Sequence, residues 1–477
     1  MRNLRRSSTP LYRTLAREIE RQIGQGALRV GDRVPSVRFL GRQHRVSIST
    51  VLQAYFWLEG RGYIEARPRS GFYVRLPFTE RIPEPKFEER ESPPHKVETG
   101  AVIDEVLRSI AKPFMTPLGA ALPGPEILPT NRLNLLLRRA INQRPFHSGS
   151  YAFPPGWDAL CRQIARRSLE FGCNFAPSDI VITCGAMEAL NLALRAVVRS
   201  GEVVAIESPT YFGVLQAIES LGMRTIEIPT HPHTGMDLEA LENAIRNHHV
   251  KACVVMTNCH NPLGYVLADE QKRALADLAA RYEVPVIEDD LYGDLAFEGR
   301  PRTAKSFDQA GMVLLCSSFS KALAPGFRVG WIHAGRFRVH VERLKFITTV
   351  AAASLPQMAL AAFLESGGYE RYLRRLRVIF SDQVQTMSRA IAKYFPEGTR
   401  VTRPMGGYLL WTELPKRVDA FGLYRAALRE NISILPGIIF SPTARFKHHI
   451  RISCGYPWSE ELDRALVVLG RLCQRAM

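Results

Sequence analysis

Lys321 lies in SSFSKALAPGFRVGW, a loop of small residues directly after the apolar run MVLLC. A lysine held there can form a Schiff base with a carbonyl cofactor, provided its surroundings disfavour the ammonium form. Seven residues on, Arg328 can balance the charge of a phosphate. VPVIEDDLYG ends another apolar run in carboxylates, Asp289 and Asp290. A carboxylate held against a pyridine nitrogen keeps that nitrogen protonated and the ring an electron sink. TNCHNPLG places Asn261 at the end of a further run. ITCGAMEALNLALRAV reads as strand, glycine turn and helix, whose first amides can cradle phosphate. Each motif alone is modest; their joint order describes a pocket for a phosphorylated ring.

These motifs need elements that present them together. Apolar runs (DIVITCG, EVVAIE, KACVVMT, VPVIEDD, MVLLCSS) alternate with amphipathic stretches from about Ala101 to Met477. That alternation predicts a parallel sheet flanked by helices, an α/β fold whose sites collect at the carboxyl ends of the strands. The chain has 477 residues and 46% hydrophobic content, enough for two or three domains and too much for a disordered protein. The apolar window from Val350 to Leu364 is broken by Ser354, Pro356 and Gln357, so it reads as a buried helix and not a membrane span. No apolar stretch follows MRNLRRSST, which argues against a secretory signal. The eight cysteines contain no CxxC pair and read as reduced, packed thiols of a cytoplasmic protein. The HPH (231–233) and HH (448–449) stretches lack companions at zinc spacing and read as surface loops, so no metal is expected. His260 reads as a packed or hydrogen-bonded residue, not a catalyst.

The net charge of +17 is unevenly spread. Residues 1–75 hold fifteen Arg, no Lys and five acids, or +10; the remaining 402 residues carry +7. This concentration points to nucleic acid at the N-terminal end. Tyr12, Leu15, Ile19 and Ile23 recur at helical spacing, and VGDRVP closes that helix. Pro35 opens a second helix, and Ser47 caps a third, ISTVLQAYFWLEGRG. YIEARPRSGFYV reads as two short strands about a tight turn, a hairpin wing. A helix, a short turn and a capped helix fit major-groove recognition.

The strings GDRVPSVRFLG and VSISTVLQAYFWLEGRGYIEARPRSGFYV resemble the GntR-type winged helix-turn-helix over residues 10–75. The resemblance implies DNA contacts from Ser36 and Arg38 on the second helix, from Ser49, Thr50 and Gln53 on the third, and from Arg67, Arg69 and Gly71 at the wing. Ile48 stands where such domains often carry Arg, which leaves it to touch a thymine methyl. Residues 79–100, TERIPEPKFEERESPPHKVETG, are rich in proline and charge. Extended at roughly 3 Å per residue they could span about 65 Å. The expected domains are 1–76 (winged helix-turn-helix), 77–115 (linker) and 116–477, the last split into a large part to about 355 and a small C-terminal part.

From about Leu118 to the C-terminus the motifs resemble the fold-type I, class I/II aminotransferases. The resemblance implies pyridoxal 5'-phosphate (PLP) bound at Lys321, the internal-aldimine lysine. Asp289 pairs with the pyridine nitrogen, Asn261 and Tyr292 hold the ring hydroxyl, and Tyr211 stacks on the ring. Ser318, Ser320 and Arg328 bind phosphate, with the backbone at Ala186 and Met187. Many relatives have a polar side chain at the Met187 position, so one contact is absent. Tyr151 matches a tyrosine that reaches the partner subunit's phosphate, implying a homodimer. Arg451, in HIRISCG, matches the arginine that clamps a substrate carboxylate.

Together the two halves resemble the MocR-type regulators. The resemblance implies a head-to-tail dimer on an operator in double-stranded DNA, in the cytoplasm and away from membranes. It also implies a response to a small amino compound bearing a carboxylate, or to PLP itself, through aldimine exchange at Lys321. The alternative is a working PLP-dependent aminotransferase with an attached DNA-binding domain.

Overall fold

The computed structural model describes residues 11–24, 27–29, 31–60, 63–67, 70–74, 82–87, 93–110, 115–143 and 149–477. The chain divides into two compact units, Met1–Ile82 and Pro83–Met477.

In the first unit, α1 (Leu11–Gly24), α2 (Val37–His44) and α3 (Ile48–Gly60) precede a hairpin of β1 (Ile64–Arg67) and β2 (Gly71–Val74). Leu15, Ile19 and Ile23 of α1 are buried with Leu40, Val51, Tyr55 and Leu58. Each such apolar side chain contributes roughly 1.5–3 kcal/mol on burial. Ser36 caps α2 by accepting from the Phe39 amide at 3.2 Å, and Ser47 caps α3 by accepting from Thr50 at 3.1 Å. The hairpin pairs antiparallel from Ile64↔Val74 to Arg67↔Gly71. Gly71 opens β2 at φ +105°, a conformation that side chains rarely adopt.

The second unit is α/β. Its first half holds α4 (Gly100–Ile110), β3 (Thr116–Pro117), α5 (Thr130–Gln143), α6 (Asp158–Ser168), β4 (Ile180–Thr183), α7 (Ala186–Val197), β5 (Val203–Ser208) and α8 (Phe212–Ser220). Then come β6 (Arg224–His231), β7 (Gly235–Met236), α9 (Leu238–His248), β8 (Val250–Val255), α10 (Asp269–Tyr282), β9 (Val286–Asp289), β10 (Val313–Ser318) and β11 (Gly330–His333). All of these strands except β3 form one sheet in the order β4-β11-β10-β9-β8-β5-β6-β7. The expectation of a parallel sheet holds for six strands; β11 and β7 run antiparallel to their neighbours. The connections into those two strands contain no α-helix, and a parallel return needs a long crossover, usually helical.

After the sheet come α11 (Arg338–Thr349), α12 (Ser354–Glu365) and the 27-residue α13 (Gly368–Tyr394). The small C-terminal part contains β12 (Arg400–Val401), β13 (Leu409–Glu413), α14 (Ala420–Arg429), β14 (Ile432–Ser433), β15 (Leu435–Pro436), β16 (His449–Ser453) and α15 (Glu460–Arg475). Its sheet runs β12-β13-β16-β15. None of the described helices is long and apolar enough to cross a membrane.

Two expectations are corrected. Residues 83–87 and 93–110, expected within a free tether, lie along the second unit. The Pro83 carbonyl accepts from Val401 at 2.9 Å, Lys86 N–H donates to Glu413 at 2.9 Å, and His95 pairs with Thr225 at 2.7 and 2.8 Å. Val97, Ile103 and Val106 are buried. Val401 and Thr225 lie on sheet edges with spare backbone groups, and edges are where proline-rich strands can pair. His449, expected in a surface loop, instead opens β16 and stacks on Trp411 at 5.2 Å; His231 ends β6, with Phe87 5.1 Å from it. Among the described residues no cluster could hold a metal ion.

Candidate cofactor site and DNA-reading face

The carboxyl ends of the parallel strands converge. Asp289 is the last residue of β9, Asn261 lies in the turn after β8, and Lys321 follows β10. Tyr211 precedes α8, and Ala186 and Met187 open α7 after the turn from β4. Arg451 comes from the small part, on β16, and reaches across to donate to Asn261 Oδ1 at 3.0 Å. Its other terminal nitrogen donates to the Gly119 carbonyl at 2.8 Å.

Lys321 is half-buried and donates to the Ala121 carbonyl at 2.7 Å. Burial, aided by the charge of Arg451, pushes its ammonium down to about 8. A fraction of neutral amine near pH 7–8 is what Schiff-base formation requires. Burial, aided by Asp290, pushes the Asp289 carboxyl up to about 7. Burial also raises the phenols of Tyr211 and Tyr292 and lowers the Arg451 guanidinium. Asp289, Arg451 and Arg328 all act electrostatically on Lys321 and on Tyr211, so these groups share one cluster.

Asp289 Oδ1, Tyr292 Oη and Arg451 Nε are buried without a well-aligned hydrogen bond among the described residues, though the Tyr408 hydroxyl lies near Tyr292 Oη. Leaving a buried polar atom unpaired costs about 1–3 kcal/mol. Three such atoms in one cluster mark a place for a polar ligand. Asp290, the neighbouring acid, is occupied: it pairs with Arg300 and accepts from Asn258 at 3.0 Å. The geometry therefore favours Asp289 as the acid facing the pocket.

A second group of residues suits phosphate. Ser318 and Ser320 hydroxyls lie 2.8 Å apart, and Arg328 donates to Ser320 at 3.3 Å. Gly185 caps α7 at φ +86° with no side-chain cap, leaving the Ala186 and Met187 end of the helix uncapped by a side chain. A Cβ on Gly185 would lie 2.5 Å from Arg328 Nη2. Only glycine lets the helix start sit this close to the guanidinium, and together they form an anion site. Tyr151 is placed differently. It is 71% exposed, and its ring lies against Phe153 at 5.3 Å, not against the cluster.

Three site groups were not anticipated. The Gly119 and Ala121 carbonyls meet Arg451 and Lys321, and Tyr408 is buried against the Tyr292 ring at 5.7 Å while donating to Ala121 at 3.2 Å. Backbone carbonyls of Gly and Ala leave no trace in a residue pattern. Tyr408 had one, the Gly406-Gly407 pair before it: Gly407 sits at φ +71°, a backbone conformation that side chains rarely adopt.

On the first unit, Ser36, Arg38, Ser49 and Gln53 are exposed and Thr50 is half-buried. Ser47 Oγ lies 2.7 Å from Ser49 Oγ and 2.8 Å from Thr50 Oγ1, so the cap also orients the two hydroxyls at the start of α3. Ile48 is 53% exposed beside them, free of the core. Arg67 ends β1, next to Gly71 across the hairpin; Arg69 lies outside the described residues.

A lysine pocket at the strand ends of an α/β sheet, joined to a separate winged helix, defines a DNA-binding protein with an aminotransferase-like domain. The model for aminotransferase class I and II matches residues 143–469, and that for bacterial regulatory proteins of the gntR family matches residues 11–74. The chain is similar to two uncharacterized HTH-type transcriptional regulators of Escherichia coli (strain K12). It is 39% identical to YjiR over 98% of this chain and 99% of that one, and 38% identical to YdcR over the same shares. In structure it is similar to LysN, the α-aminoadipate aminotransferase of Thermus thermophilus. That protein was solved with N-(5'-phosphopyridoxyl)-L-leucine (TM-score 0.73, 26% identity, covering 80% of this chain and 96% of that one). The chain belongs to the MocR-type family, gntR-type regulators that carry a fold-type I aminotransferase domain. The cofactor of that fold is PLP, and the unpaired atoms and the anion site described above fit it.

Proposed function

We propose that the protein is a ligand-responsive transcription factor. It reads an operator in double-stranded DNA through its winged helix and senses a small carboxylate-bearing amino compound, or PLP, at Lys321. The observation that carries this reading is the cluster of unpaired buried atoms around a lysine of lowered basicity. In the proposed site Lys321 holds PLP as a Schiff base, which supplies an electrophile for an incoming amine. Asp289 faces the ring nitrogen, Asn261 and Tyr292 the ring oxygen, and Tyr211 the ring face. Ser318, Ser320, Arg328 and the start of α7 hold the phosphate.

Arg451 would take the effector carboxylate by exchanging its bond to the Gly119 carbonyl for a two-point clamp. With PLP held there, an effector amine would take the place of the Lys321 amine, and the released lysine would bias the placement of the winged helices. A shift from 1:99 to 99:1 between two states needs about 5.5 kcal/mol of differential binding. Tyr151, exposed in a row with Phe153 and Phe346, suits a homodimer in which it reaches the partner's phosphate. We place the dimer head-to-tail in the cytoplasm, with a DNA-binding domain of 1–76 and a PLP-binding domain that takes in 116–477 together with the segment before it.

The test is operator binding by the full chain and by Lys321→Ala, with and without candidate amino acids and PLP. The variant is expected to bind the upstream DNA of its own gene like wild type and to lose the effector response. A normal response in the variant would defeat the switch. One observation favours a second reading, a working aminotransferase: the lysine and ring-binding set is complete. Rapid amino transfer to an oxo-acid, with no specific DNA site, would establish it.

A further inference from the structure

His260 is 1% exposed and precedes Asn261. Its backbone closes the turn that carries Asn261: its N–H donates to Tyr265 O at 3.0 Å and its carbonyl accepts from Gly264 at 2.6 Å. Its side chain closes the same turn from within, Nδ1 accepting from the Leu263 amide at 3.2 Å. An accepting Nδ1 places the proton of the neutral ring on Nε2. Nε2 stands 3.2 Å from Glu207 Oε2, off the line of a hydrogen bond, so that contact is electrostatic. The imidazole also stacks on Tyr265, with centroids 4.8 Å apart and planes at 8°. Tyr265 in turn donates to Glu207, which accepts from Met256 at 2.8 Å. Glu207 precedes Tyr211 in ESPTY, so one buried network joins the turns that bear Tyr211 and Asn261.

We propose that His260 is a positioning residue: through Nδ1 it holds the 260–264 turn so that Asn261 meets Arg451 with its oxygen and the cofactor ring oxygen with its nitrogen. Asn261 Oδ1 is committed to Arg451, which leaves Nδ2 to donate. This inference rests on the PLP reading of the site.

The test is a pH titration of the visible absorbance of full-length protein loaded with PLP. Without the Asn261 donor, the ring oxygen holds the neighbouring proton more tightly and the midpoint rises. His260→Phe, which keeps the stacking but has no acceptor, is expected to raise the midpoint by about one unit, the size of one hydrogen bond to a charged oxygen. It should match Asn261→Ala. His260→Asn, whose Oδ1 stands as many bonds from the backbone as Nδ1, should titrate like wild type. None of these variants alters the charges facing Lys321, those of Arg451, Asp289 and Arg328. A loaded His260→Phe with the wild-type midpoint overturns the proposal. If that variant cannot be loaded, the pair His260→Asn and His260→Gln decides. Asn like wild type with Gln shifted supports the proposal, and any other pattern overturns it. Wild type that gains no visible band with PLP defeats the cofactor reading instead.

Discussion

Arg38, Ser49 and Gln53 stand in solvent on the first unit, whereas Asp289, Tyr292 and Arg451 of the second are almost sealed from it. Both sets are polar, but their energetics differ. An exposed arginine keeps its hydration until DNA arrives, so its gain comes from counterions released by phosphate and is screened by salt. A buried carboxylate has already lost its hydration, so its gain comes from the one ligand that pairs it. A surface of the first kind tolerates many sequences weakly. A pocket of the second kind is selective, and it destabilises the protein while empty.

The largest expected effect separates the two directly. Raising salt from 50 to 200 mM should weaken operator binding by about a thousandfold or more, if six or more phosphates are neutralised. PLP retention, measured by the visible band over the same range, should change little. Equal salt dependence of both would break the contrast.

A second measurement concerns the cost of the empty pocket. The folded-state value of Asp289 is raised from 3.8 to about 7, so the native state holds a proton that the unfolded state has lost between those values. The contribution of Asp289 to the stability of the cofactor-free protein should therefore fall as pH rises through that window, against the opposite slope from His333 and His449, whose imidazoles burial pushes down to about 4 and about 3. Asp289→Asn should remove the Asp289 slope and, at pH 8, be more stable than wild type by on the order of 4 kcal/mol. PLP should stabilise wild type more than the variant. Denaturant unfolding of the second unit's transition in both proteins across pH 4–8 checks the sign, and a stability gap between them that does not widen with pH would contradict it.

The smallest effect sharpens the exposed side. Ser47→Ala removes the cap of α3 and should lower the stability of the first unit by about 1 kcal/mol. It should also weaken DNA binding through the loosened Ser49 and Thr50 hydroxyls, while leaving PLP absorbance unchanged. Calorimetry of the two transitions, with anisotropy on labelled operator, would reveal any spread of the defect to the second unit.

Much of this was legible because it is local. Ser47 before ISTVLQ is a cap by residue type, and Lys321 or Asn261 at a strand end follows from an apolar run stopping at a small or polar residue. Asp289 and Asp290 show where pattern stops. Adjacent residues on a strand point to opposite faces, and nothing in EDD says which face holds Arg300. The segment 83–110 shows another limit. Its prolines exclude a core of its own, but not pairing to the edges of another sheet.

By itself the sequence determined the two-part plan, the winged helix with its arginine excess, and the order of the pocket motifs. Those depend on neighbours within a turn or a strand. Only the tertiary structure decided that Arg451 meets Asn261 across 190 positions, that carbonyls at 119 and 121 enter the pocket, and that Asp289 Oδ1 is left without a partner. Desolvation and pairing depend on which distant groups pack around an atom, and local spacing carries no record of that.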